Sequence, residues 1–187
     1  MTTKSIPTKY RKSEGQYVFH TTETENIDSI LDKGVDPMYE TGPDTTAAAD
    51  VLSHLAPNEP FPFDRTTVAY CHTDSEYVGW LIEQQQQDHG FISDNSYAVI
   101  DVTKIDAPKY ISDMKIVSDL IDYKYGGSNV MLCFDTAREA LAAYRESIQP
   151  VDSPSDIETY DSGIKDSHPE LIVSGIIPPE AIVDVLD

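Results

Sequence analysis

Positive charge is scarce in this chain. Of 187 residues only 13 are lysine or arginine, four of them arginine, against 33 aspartates and glutamates, giving a formal net charge of −20. A surface of that balance repels phosphate backbones and anionic headgroups, which argues against a basic nucleic-acid binder or a protein of anionic membranes. Cysteine is nearly absent as well. Cys71 and Cys133 stand alone, with no CxxC spacing, so no disulfide framework is expected. Both sit in apolar, strand-like stretches and read as buried, reduced thiols. Cys71 and His72 are neighbours on a candidate strand, so they point to opposite faces and no shared zinc ion is expected. Long apolar runs are missing: no window approaches the ~18 consecutive residues of a membrane helix. The start, Met1 to Pro7, has no apolar secretory stretch. A cytoplasmic protein without membrane contact is the expectation.

What is present is a foldable composition, 40% hydrophobic, at a length suited to one domain. The acids are dispersed along the whole chain, 21 Asp and 12 Glu, and form no tail. Self-repulsion at this charge is severe in dilute buffer, while at 1 M salt the screening length falls to about 3 Å. The composition therefore fits a protein of salt-accumulating microbes or of a virus that infects them. An acidic protein with a basic partner is the alternative reading of the same charge.

Residues 1–15 are polar and of mixed charge, and read as a flexible N-terminal segment; residues 16–187 read as one domain. Residues 16–21 predict a strand. Thr22 and Glu25 have capping-box spacing, Ile27, Ile30 and Leu31 share a helical face, and Gly34 stops the helix. Residues 36–66 carry five prolines and predict a long loop with a short helix over 47–55, of the kind that covers a ligand. Residues 67–72 predict a strand. Thr73 and Glu76 repeat the capping spacing, and Tyr77, Trp80, Leu81 and Gln84 suggest a helical face ended by Gly90. Residues 96–102 are a clear strand, followed by a helix through 116–121. Residues 130–134 suggest a strand or a buried helix entry, and Thr136 with Glu139 caps a helix to about 147. After a polar stretch, 170–173 and 181–185 predict the last strands. Without regular βαβ spacing this is an α+β domain with a largely antiparallel sheet.

Three segments stand out. Tyr17-Val18-Phe19-His20-Thr21-Thr22 leads into the helix that ends at Gly34. Val68-Ala69-Tyr70-Cys71-His72-Thr73-Asp74 carries a tyrosine in mid-chain. Pro169-Glu170-Leu171-Ile172-Val173-Ser174-Gly175-Ile176-Ile177-Pro178-Pro179 opens with a glutamate. In this order they resemble the ADP-ribosyltransferase superfamily, in its His–Tyr–Glu class of diphtheria-toxin-like enzymes, poly-ADP-ribose polymerases and DNA-modifying DarT-type toxins. The resemblance spans about residues 20–182.

The resemblance implies a split antiparallel β-sheet core with flanking helices. It also implies NAD⁺ as co-substrate and transfer of ADP-ribose to a macromolecular acceptor, protein or nucleic acid. Breaking the glycosidic bond of NAD⁺ passes through an oxocarbenium-like ribosyl cation that a carboxylate stabilises, and Glu170 is the implied catalytic group. His20 is implied to bind ribose hydroxyls, Thr21 with Thr22 to line the carboxamide site, and Tyr70 to stack on nicotinamide. Lys9, Arg11, Lys12 and Arg65 are the candidates for the pyrophosphate. Each has an ordinary counterpart: a hydrogen-bonded histidine, a core tyrosine, a solvated acid.

The chain departs from the pattern in carrying Thr21 where many relatives have glycine. It also has His168 where arginine-modifying members carry a second acid, so an arginine acceptor is not supported. His72, two residues from Tyr70, competes as a pocket residue. Two alternatives stay open: an RNA 2′-phosphotransferase-like enzyme, which needs more basic residues, and a non-catalytic structural or binding protein, virus-encoded or not, that keeps the fold. A cysteine nucleophile has the least support, since Cys71 and His72 diverge.

Overall fold

Most strands among the described residues follow from short β-branched and aromatic runs that find partners far away in sequence. A computed structural model of the chain describes residues 6–11, 15–37, 51–52, 54, 61–65, 67–86, 95–125 and 133–187. Its strands are β1 (Tyr17–Glu23), β2 (Ala69–His72), β3 (Asn95–Asp101), β4 (Lys109–Asp113), β5 (Gln149–Pro150), β6 (Pro169–Val173) and β7 (Ile182–Leu186). They form one sheet in the order β5-β4-β6-β2-β1-β3-β7, with every neighbouring pair antiparallel. The class is α+β, as the sequence predicts. Helices are α1 (Thr8–Arg11), α2 (Ile27–Lys33), α3 (Ser75–Gln86), α4 (Met114–Tyr125), α5 (Ala137–Ser147) and α6 (Pro154–Glu158). Among the described residues no helix is long and apolar enough to cross a membrane.

The sheet is unevenly stitched. β1 pairs with β3 at seven positions, from Tyr17↔Asp101 to Glu23↔Asn95, and β2 pairs with β6 at four. Between β1 and β2 the register holds only Phe19↔His72. This seam divides the sheet into a β1-β3-β7 half and a β5-β4-β6-β2 half.

One face buries Val18, Cys71, Ile100, Ile111, Leu171 and Val173 against α2 and the segments that follow it. On the other, Phe19, Tyr97 and Val99 pack on Val78 and Ile82 of α3, with Ile6 and Tyr10. Further along that face Ile172 meets Phe63, Val68, Tyr70 and Tyr110. α4 and α5 form a third cluster around Ile116, Leu120, Leu141 and Tyr144. Gly34 ends α2 at φ +82°, where a Cβ would lie 2.1 Å from the Ile177 carbonyl oxygen, so only glycine fits this approach.

Several expectations are corrected. β1 continues through buried Thr22 because its ladder with β3 runs on, so Thr22 and Glu25 form no capping box, and α2 begins at Ile27 after a 3₁₀ turn. Asp74, not Thr73, caps α3: its Oδ1 accepts the Glu76 and Tyr77 N–H groups at 2.7 and 3.2 Å. Thr73 instead donates to the Pro169 carbonyl. Trp80 points to solvent, and Val78 and Ile82 fill the core. β4 was not predicted; its polar residues are buried by hydrogen bonds rather than by apolar alternation. Cys133 is exposed in a turn before α5, while Cys71 is buried as expected. Within the segment read as flexible, Thr8–Arg11 form α1, and Ile6 and Tyr10 are buried, with the Tyr10 hydroxyl donating to Asp184 at 2.6 Å. Most of 36–66, with its proposed helix, and residues 87–94 and 126–132 lie outside the described residues; Val51 and Leu52 are helical and buried.

Candidate functional site

Glu170, the second residue of β6, lies between two partners, His72 of β2 and Ser112 of β4, so these three side chains share a face. It is 5% exposed, unusual for an acid. Its Oε1 accepts from Arg65 Nη1 at 3.1 Å and from the Ser112 hydroxyl at 2.9 Å. Arg65, also 5% exposed, lies with its guanidinium carbon 4.4 Å from the Tyr70 ring centroid and 5.6 Å from that of Tyr144. The same Nη1 donates to the Tyr144 hydroxyl, and the Tyr70 hydroxyl donates to the Arg65 carbonyl at 3.1 Å.

The result is a buried ion pair boxed by two tyrosines. Burial works against the arginine's charge, but the Glu170 carboxylate with Tyr144 and Tyr70 together outweigh it and hold the guanidinium above its ordinary range. Burial raises the Tyr70 phenol far above its usual value and pushes Tyr144 up to about 12. Both tyrosines are therefore neutral hydrogen-bonding groups at any working pH. The Arg65 Nε–H is buried with no acceptor.

His20 lies across the seam. Strand alternation turns it to the face opposite Phe19, Tyr70 and Glu170. Its Nδ1 sits 2.8 Å from the Tyr70 carbonyl oxygen. A carbonyl only accepts, so Nδ1 carries the proton and the tautomer is fixed. This imidazole takes up the β2 carbonyl beyond the last paired position. Thr21 Oγ1 is 3.1 Å from His72 Nε2, and Thr22 is buried.

The structure thus joins Tyr70 to Glu170 through Arg65 on one face. It joins His20 to Tyr70 through the backbone from the other. Arg65, read in sequence as a phosphate ligand, is here the partner of the carboxylate. A cavity of about 340 Å³ lies elsewhere, beside Ser147, Gln149, Asp161 and Ser162, and shares no lining residue with this group.

A second cluster adjoins Glu170. The His72 ring lies 5.8 Å from His168 and 5.5 Å from Tyr77, and His168 meets Tyr77 edge-on at 4.0 Å. Burial, with the neighbouring His168 and His20, lowers His72 to about 4, and burial lowers His168 in the same direction. His72 is therefore neutral at pH 7. The His168 Nε2 is buried and unpartnered.

Behind the cluster, the buried Asp113 carboxylate accepts from the Lys115 N–H, the His168 N–H and the Ser162 hydroxyl. That clamp fixes where β6, and hence Glu170, begins. Sequence reading missed Ser112, Tyr144 and Asp113. Their only signal was a short Ile-Ser-Asp run and a tyrosine on an apolar helix face. Among the described residues no three His, Cys, Asp or Glu side chains converge on a metal position. No known family model matches this chain, and no curated protein sequence matches it.

Proposed function

We propose that this protein is ADP-ribosyltransferase-like, taking NAD⁺ as co-substrate and passing ADP-ribose to a macromolecular acceptor in a salt-adapted cell or its virus. The observation that carries the reading is the placement of Glu170. It is a buried carboxylate, paired with Arg65, on the strand next to the one bearing Tyr70, with His20 bonded across a seam in an antiparallel sheet. An antiparallel sheet divided at that seam also accords with the split core that the resemblance implies.

In this reading the nicotinamide C–N bond breaks with its electron pair leaving on nicotinamide. Glu170 stabilises the ribosyl cation, and a nucleophile of the acceptor attacks the anomeric carbon and loses its proton. A preorganised charge of this kind is the main catalytic resource of such a site. Arg65 releases Glu170 as NAD⁺ enters and meets the pyrophosphate instead, which keeps its charge compensated throughout. Tyr70 supplies the stacking face exposed by that exchange.

The closure of Arg65 over Glu170 favours a second reading, a protein that keeps this fold without turnover. Labelled NAD⁺ in molar KCl separates the two. Nicotinamide release with label passing to protein or nucleic acid, abolished by Glu170→Gln, supports the transferase. Because that variant strands a buried guanidinium, circular dichroism is read alongside, with Ser112→Ala as the milder variant that lowers turnover and retains the fold. NAD⁺ bound without release supports the second reading, and wild-type protein that neither binds nor cleaves NAD⁺ overturns the first.

A further inference from the structure

The chain has one tryptophan, and it faces water. Trp80 is 50% exposed on α3, whose opposite side sends Val78 and Ile82 into the core. It is not loose: its indole stacks on Tyr77 with centroids 5.9 Å apart and planes 26° from parallel. Tyr77 is in turn braced edge-on by His168, with the His72 ring tilted against it at 5.5 Å. The ring is therefore held in place, and a ligand that meets it does so at little ordering cost.

Its helical neighbours are acids. Glu76 lies four residues before Trp80 and Glu83 three after, the two spacings that place side chains side by side on a helix. Asp74 adds a third carboxylate at the helix start, held there by capping. Among the described residues neither Glu76 nor Glu83 forms an ion pair. No lysine or arginine occurs on α3.

We propose that this face of α3 is a docking site for a basic protein segment, with an arginine of the partner laid on the Trp80 indole and paired with Glu76 and Glu83. Tryptophan is the best aromatic partner for a cation, and a guanidinium is planar enough to stack while its edges reach carboxylates. In dilute buffer the net charge of −20 adds long-range attraction, and at molar salt, where screening falls to about 3 Å, the direct contacts remain. The site goes beyond the NAD⁺ reading and stands without it.

General attraction between an acidic protein and a basic peptide is the effect to separate from this. The probe is a fluorescein-labelled oligo-arginine peptide, followed by anisotropy at fixed KCl with the full chain. Trp80→Leu changes no charge and is expected to weaken binding about threefold, the scale of an exposed cation–π contact. The pair Glu76→Gln with Glu83→Gln is expected to weaken it more than Asp28→Asn with Asp32→Asn, which removes the same charge from exposed positions on α2. In wild type, saturation quenches the single tryptophan. Equal affinity of Trp80→Leu and wild type, equal loss from the two double variants, or no binding at all overturns the proposal.

Discussion

The two halves of the sheet are built on different rules. In the β1-β3-β7 half the ladder runs unbroken for seven positions, and apolar pairs such as Val18↔Ile100 and Phe19↔Val99 are buried beside His20, Thr22, Ser96 and Asp101. In the β5-β4-β6-β2 half the buried set includes Ser112, Asp113 and Glu170, with Arg65 inserted from a loop. The buried carboxylate of the first half, Asp101, is met by its near neighbour Thr103, whereas that of the second needs a guanidinium 105 residues away. The second depends on each polar group finding its partner, and a missing partner there costs far more than a missing methylene. Chemistry-bearing side chains gather where partnering is obligatory, on the strands beside the seam.

The sharpest way to break the contrast is Arg65→Met. It leaves the Glu170 carboxylate buried and unpaired and is expected to cost about 3–5 kcal/mol, read by urea unfolding at constant KCl. Combining it with Glu170→Met should recover most of that loss; equal losses in the single and double variants would show that the pair is not what this half rests on. The next effect is one of pH. His72 is held near 4 when folded, while the unfolded chain takes up its proton near the usual 6.5. The contribution is whole above pH 6.5 and fades as pH falls toward 4, because the unfolded state binds the extra proton. Melting temperature against pH should show this slope, and His72→Gln should flatten it. The smallest effect belongs to the β1-β3-β7 half. Ile100→Val should cost about 1 kcal/mol, with the same loss at pH 5 and pH 8. A loss that changes with pH would mean the two halves are not energetically separate.

How far the sequence could be read follows the same division. β1, β3, β6 and β7 announce themselves by β-branched and aromatic runs. Gly34 and Thr136 mark a stop and a start, the latter by accepting the Glu139 N–H at 3.2 Å. β4 does not, because Ser112 and Asp113 look like loop residues until Glu170 and His168, 58 and 55 positions on, supply their partners. Arg65 is similar: its partner is 105 residues away, and nothing local distinguishes it from a surface arginine. On α3 apolar residues occur all around the helix, so the phase that buries Val78 and exposes Trp80 was not legible from spacing. His20, Tyr70 and Glu170 could be named in order, but not the fact that alternation sets His20 on the far face.

The tie from His20 to the Tyr70 carbonyl has its own consequence in acid. A ring nitrogen that donates to a carbonyl does so whether the imidazole is neutral or protonated, so this bond does not itself depend on the ring's charge. His72, one strand over, is kept neutral by its dry surroundings down to about pH 4. Two histidines on adjoining strands therefore meet a drop in pH differently: the bond of one is indifferent to charge, and the other ring resists gaining it.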